Sequence, residues 1–230
     1  MSNVTRLLQD IKDNPVMYLE KLSITSLDSF LIGYLSTRSE MGLDREGSEI
    51  EGFQEWIQKR EKTDVSQSWA RILIFSCGSE RNAFYSFFEL FERFLKDDEG
   101  SKKDEKGRSL NYFGNDLIIS VRPLYELLGS IKKRPGMYLG NNSITKLNML
   151  LRGYSLAQRE VGVLPTEQER EFEGFQSWIE EKYGINSGQS WSKIILFYSV
   201  DEHEALEKFF ELFEEYLNRN KNLEVDENSG

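Results

Sequence analysis

The chain is written twice, and that doubling limits what it can fold into more than any single motif does. Residues 127–162 replay residues 7–42 at an offset of 120, and residues 173–217 replay 51–95 at an offset of 122. Down these two gap-free blocks, 37 of 81 positions are identical. Shared helical patterning alone does not leave that much identity, so the chain carries a duplicated module. The copies then serve as a comparison of two sequences. Residues kept in both are candidates for the core, and residues kept in one are free for a private role.

The kept set is mostly apolar. Leu7, Leu8, Ile11, Pro15, Met17, Tyr18, Leu19, Leu27, Leu31 and Tyr34 recur as Leu127, Leu128, Ile131, Pro135, Met137, Tyr138, Leu139, Leu147, Leu151 and Tyr154. Phe53, Trp56, Ile57, Trp69, Ile72, Phe75, Phe87, Phe88, Phe91 and Leu95 recur as Phe175, Trp178, Ile179, Trp191, Ile194, Phe197, Phe209, Phe210, Phe213 and Leu217. This reads as a packing inventory. The kept polar residues are fewer: the Ser-Ile-Thr starting at Ser23 and Ser143, Glu-Gly-Phe-Gln at Glu51 and Glu173, Gln-Ser-Trp at Gln67 and Gln189, and the carboxylates Glu89, Glu92, Glu211 and Glu214. None of them forms a set that could run a reaction.

Periodicity places these residues on helices. Leu7, Leu8 and Ile11 mark a short opening helix that Pro15 stops, because proline lacks the N–H and fixes φ. Thr25 reads as the N-cap of a second helix bearing Leu27, Phe30, Leu31 and Tyr34 on one face, closed by Gly42. A third helix carries Phe53, Trp56 and Ile57. The run Trp69 to Phe75 suits helix or strand; the three-residue spacing of Trp69, Ile72 and Phe75 and the lack of a partner strand favour helix. The last helix shows Phe84, Phe87, Phe88, Phe91, Phe94 and Leu95 along one stripe. The fold expected is all-α, with two tandem homologous four- to five-helix modules packed with pseudo-twofold symmetry. The modules span 1–96 and 123–218, joined by a charged linker over 97–122 with a short extended segment at Asp116–Pro123 and followed by a polar tail over 219–230.

Composition narrows the function. No stretch approaches the roughly 18 apolar residues of a membrane span, and the start lacks the basic-then-apolar layout of a secretory signal, so a cytoplasmic protein without a membrane role is expected. The single cysteine, Cys77, has Ser199 at its counterpart position and reads as a small buried residue. The net charge is −10, with 18 acids against 12 bases in residues 123–230. An acidic surface repels phosphate backbones, which argues against nucleic acid, and steers in a basic protein partner.

No catalytic constellation, cofactor motif or metal set emerges. His203 is the only histidine and aligns with Arg81 of the other copy, so a metal site or histidine triad lacks companions and a surface residue at the start of the last helix is expected. Glu89 with Glu92, and Glu211 with Glu214, read as the wet side of an amphipathic helix. Lys133-Arg-Pro-Gly-Met-Tyr-Leu-Gly140 resembles a segment near the start of the ATPase domain of gyrase and related type II topoisomerases, which implies nucleotide binding. The first copy reads Asn14-Pro-Val-Met-Tyr-Leu-Glu20, replacing both glycines and the arginine, and a phosphate cradle does not survive that exchange.

The two copies also differ by a two-residue insertion at Glu167–Glu173, which gathers carboxylates where the sequences diverge. Glu167, Glu169, Glu171, Glu173, Glu180 and Glu181 are therefore the candidate partner-binding face. The recurring pattern of a short helix, Pro-x-Met-Tyr-Leu, Ser-Ile, Gly-Tyr and Gln-Ser-Trp resembles small bacterial proteins, some of them immunity proteins encoded beside polymorphic toxins. That resemblance implies a stoichiometric binder that blocks a basic toxin domain. A nucleotide binder using Lys133–Gly140 and a structural scaffold are the alternatives.

Overall fold

The computed structural model describes residues 3–43, 48–63, 67–101 and 121–219, and among these every regular element is an α-helix. Packing divides the chain into two compact units, one of residues 1–121 with Arg152–Ala157 and one of residues 122–151 with 158–230. The all-α expectation holds. The described residues of each copy form six helices where four or five were expected, because the proline that stops the first helix starts another.

The first copy contributes α1 (Asn3–Asp13), α2 (Pro15–Tyr18), α3 (Ile24–Glu40), α4 (Ser48–Arg60), α5 (Trp69–Cys77) and α6 (Glu80–Ser101). Pro15 occupies the first turn of α2, where its missing N–H is no loss. Ser23, not Thr25, caps α3: its hydroxyl accepts from the Ser26 N–H at 3.2 Å. Gly42 ends that helix in the left-handed region at φ 75°, with its N–H on the Ser39 carbonyl at 2.9 Å. The run from Trp69 is helical, capped by Ser68.

The second copy contributes α7 (Leu124–Lys133), α8 (Pro135–Leu139), α9 (Ile144–Glu160), α10 (Glu167–Tyr183), α11 (Trp191–Phe197) and α12 (Glu202–Asn218). α10 starts on a full capping box between Thr166 and Glu169. α6 runs past the expected end of the first module at Lys96 as far as Ser101. Most of the expected extended segment, 116–120, lies outside the described residues, as do 220–230 of the expected tail. Pro123 is the N-cap of α7.

Each core is organised around one phenylalanine. Phe53 is fully buried, and the ring centroids of Trp56, Trp69, Phe87, Phe91 and Phe94 lie 5.4 to 6.1 Å from its own. Phe175 holds the same position, with Trp178, Trp191, Phe209, Phe213 and Tyr216 at 5.4 to 5.9 Å. Most of these pairs are edge-to-face, the geometry the ring quadrupole favours. One ring thereby ties α4 to α5 and α6, and its copy ties α10 to α11 and α12.

Not every kept apolar residue is core. Met17 and Met137 are 72% and 73% exposed, and Phe75 and Phe197 are 91% and 76% exposed. The helical period explains the second pair. At roughly 100° per residue, a three-residue step slips back by about 60°, so Trp69, Ile72 and Phe75 fan across the helix and do not share a face. Trp69, Ala70, Ile72 and Leu73 are buried, and Phe75 lies beyond their edge. The methionines sit on one-turn helices in which the neighbouring leucine, Leu19 or Leu139, takes the buried position.

Replacing Phe53 or Phe175 with alanine is expected to cost about 3–5 kcal/mol, the range for emptying a buried aromatic site. Phe75→Ala is expected to change stability by less than about 0.5 kcal/mol, as exposed positions do. Urea unfolding of the three variants followed by tryptophan fluorescence checks this, and a similar cost at all three positions contradicts the assignment.

Candidate functional site

The kept polar residues come together in pairs that repeat between the copies, and each pair does a structural task. In the first copy the Gln54 side chain clamps the entry to α5: its Oε1 accepts from the Trp69 N–H at 2.6 Å and its Nε2 donates to the Gln67 carbonyl at 3.0 Å. Gln176 does the same for Trp191 and Gln189 at 2.6 and 2.9 Å. This links Glu-Gly-Phe-Gln to Gln-Ser-Trp, two motifs far apart in sequence, and it answers backbone groups at the helix start. Lys12 donates to Glu92 at 2.6 Å, and Lys132 pairs likewise with Glu214. Glu89 and Glu211 face solvent.

A second repeated arrangement, not legible from spacing, is a carboxylate clamp on the Ser-Ile-Thr turn. Glu80 accepts from the Ser23 hydroxyl at 2.7 Å, the Thr25 N–H at 3.0 Å and the Thr25 hydroxyl at 2.5 Å. Glu202 accepts from Ser143 and Thr145 at 2.7, 3.0 and 2.7 Å. A glutamate at the first turn of the last helix thus fastens the start of the long helix of its own copy. The only trace in the sequence is that Glu80 and Glu202 are identical, a signal without periodicity to set it apart.

For Glu80, burial acts to raise the carboxyl pKa, but the hydrogen bonds from Thr25 and Ser23, with Lys21 nearby, outweigh it and hold the group below the usual glutamate range. Glu92 is also held low, first by the Lys12 hydrogen bond. Tyr125 is pushed well above the ordinary phenol value by burial and by its hydrogen bond to Glu171.

The six carboxylates predicted as a binding face all lie on α10 or at its first turn, and the helix divides them. At roughly 100° per residue, Glu169, Glu173 and Glu180 fall on one flank, and Glu167, Glu171 and Glu181 on the other. Three are engaged within the fold. Glu169 closes the capping box and accepts from Gln158 at 2.6 Å, Glu171 accepts from the Tyr125 hydroxyl at 2.6 Å, and Glu180 accepts from Gln176 at 2.8 Å. Glu167, Glu173 and Glu181 are exposed. The helix therefore offers three solvent-facing carboxylates, not a single row of six.

Two other residues fall where the sequence put them. His203 is exposed at the first turn of α12, with Nδ1 2.6 Å from the Asn142 amide and Nε2 3.5 Å from Glu207. Within Lys133–Gly140, Arg134 joins α7 to the five-residue α8, and Gly140 closes it at φ 73°. Lys146 donates to the Leu139 carbonyl at 2.9 Å, so the segment's closing carbonyl is used internally. Among the described residues no group of three or more His, Cys, Asp or Glu is placed to hold a metal ion, and no helix is long and apolar enough to cross a membrane.

No protein-family model matches the chain, and neither a curated protein nor a solved structure matches it.

Because Glu80 is depressed in the folded state, its contribution is present above the unfolded glutamate value and is lost as pH falls through the lower folded one. Glu80→Gln is therefore expected to flatten the loss of stability between about pH 5 and pH 3 relative to the unaltered protein. Thermal unfolding midpoints across that window decide it, and parallel pH profiles count against the clamp. Magnesium-ATP at millimolar concentration is expected to leave the midpoint unmoved at neutral pH, and a saturable rise would restore the nucleotide reading.

Proposed function

We propose that this chain is a non-catalytic protein-binding module, acting in the cytoplasm as an immunity-like protein that neutralises a toxin by covering a basic surface. One observation carries the reading. The clamping glutamines and glutamates kept in both copies are spent on helix starts and interhelical ties, whereas the residues that are both kept and exposed include four large apolar ones, Met17, Met137, Phe75 and Phe197. Apolar side chains in water do no acid–base or nucleophilic chemistry, but they are effective anchors for another protein.

Charge supports the choice of partner. A chain of net charge −10 gathers a basic partner at long range, and among the solvent-facing carboxylates of α10, Glu167 lies in the segment with the two-residue insertion and Glu181 stands where the first copy has Lys59, while Glu173 recurs as Glu51. Specificity then belongs to the divergent helix and contact energy to the apolar anchors.

The test is purification of the tagged full chain from its own cells, with native mass measurement of what accompanies it. The expected result is a one-to-one complex with a basic protein whose expression alone arrests growth and whose co-expression with this chain does not. A self-assembled homo-oligomer, or a companion that is harmless alone, overturns the reading. With that companion in hand, the triple reversal Glu167→Lys, Glu173→Lys and Glu181→Lys is expected to slow association by about tenfold or more at low salt, with little change at high salt.

A further inference from the structure

The outward face of α5 carries more than an exposed phenylalanine. Arg71 and Phe75 are spaced four apart on α5, on the side opposite the buried Trp69, Ala70, Ile72 and Leu73, and Gln67, just before the Ser68 cap, extends the row through its hydrogen bond with Arg71. All three are exposed. The Arg71 Nη1 donates to Gln67 Oε1 at 3.1 Å, which holds the guanidinium along the row and leaves its other donors open to solvent. α11 repeats the row with Gln189, Lys193 and Phe197, and Lys193 Nζ lies 3.3 Å from Gln189 Oε1.

Most exposed positions kept in both copies are charged, such as Glu51 with Glu173 and Glu89 with Glu211; an exposed phenylalanine kept in both is found only at Phe75 and Phe197 among the described residues. Nearby solvent-facing positions have changed freely: Arg81 is matched by His203, Tyr85 by Glu207, Gly78 by Val200, and the Ser76–Glu61 hydrogen bond by the stacked pair Tyr198 and Tyr183. The row keeps amide, cation and phenyl in order. Folding does not require this, since an exposed phenylalanine adds no buried area and is a weaker helix former than the residues usual at such positions.

We infer that the rows on α5 and α11 are two equivalent docking surfaces, each taking a protein segment that sets a carboxylate about one helical turn from a large apolar side chain. The cation answers the carboxylate and the phenyl ring the apolar group, at the 5–6 Å spacing of neighbours on a helix face. A nucleic acid is the poorer fit, because one cation per row in a chain of net charge −10 cannot replace the counterions of a phosphate backbone. The inference rests on the protein-binding reading and adds to it the chemistry of the contact and the number of sites.

The experiment uses the full chain and a displayed library of random dodecapeptides, selected on the unaltered protein and counter-selected on the double variant Phe75→Ala, Phe197→Ala. Recovered peptides are expected to pair Asp or Glu with Leu, Phe or Trp. In calorimetry a synthetic copy is expected to bind with two equivalents per chain, falling to one in either single variant. Affinity should drop by about tenfold or more in Arg71→Glu, Lys193→Glu, as loss of a charged anchor does. The circular dichroism and unfolding midpoint of all variants should match the unaltered protein, since every altered side chain faces water.

Failure to recover any peptide, recovery of basic ones, a single equivalent, or displacement of the peptide by a thymidine 20-mer each overturns the inference. A growth-arresting partner that is neutralised as well by the double variant as by the unaltered chain also sinks these surfaces, and it leaves the proposed function standing.

Discussion

The packing of each copy depends on one buried ring. Phe53 and Phe175 each bring a helix that starts with acids and ends with bases into register with two others, and every ring around them belongs to one of the three helices so joined. Remove that ring and the short helix α5 or α11, at nine or seven residues, keeps too little of its own to persist, since isolated helices of that length are marginal in water. The glutamine clamp follows from the same closeness. Gln54 and Gln176 directly follow the central phenylalanine, so once the ring is seated their amides reach the incoming backbone without further adjustment.

That dependence changes how the kept polar residues are understood. A set of Gln, Ser, Thr and Glu preserved through a duplication could suggest a site of chemistry. Here many of the kept groups face a particular backbone or side-chain partner: Gln54 the start of α5, Ser23 the start of α3, Glu80 the turn that Ser23 and Thr25 make, Lys12 the carboxylate of Glu92. Their second-copy counterparts do likewise. Short helices have many unanswered N–H and C=O groups relative to their length, and the twelve helices of the described residues must answer a correspondingly large number of them. Polar conservation between the copies is the consequence of that demand.

What is left over is therefore the informative part of the surface. In the second copy several braces cluster on and near α10: the capping box at Thr166, the hydrogen bond from Tyr125 to Glu171, and Arg219 stacked 3.5 Å over Tyr216. They brace the helix that carries the exposed carboxylates. The first copy has a lighter version of one of them, Thr5 on Glu49 at 2.8 Å. Charge on this helix differs between the copies, as with Glu181 against Lys59, while the rows on α5 and α11 keep the amide and the phenyl ring and exchange arginine for lysine.

The doubling, the helical class, the apolar inventory, the place of His203 at the start of the last helix and the glycine stops were all legible in the sequence, because each depends on local period or on a residue's own backbone preference. Other features were not. Pro15 reads as a stop whether or not a new turn begins there; Ser23 and Thr25 are both plausible caps until Glu80 claims the threonine; and six glutamates close in sequence look like one face until the helix winds them onto two flanks. Phe75 and Met17 were beyond reach for a plainer reason. Sequence records that a residue is apolar and retained, but whether it meets another side chain or water is set by which helices approach, and that is decided by the tertiary structure alone.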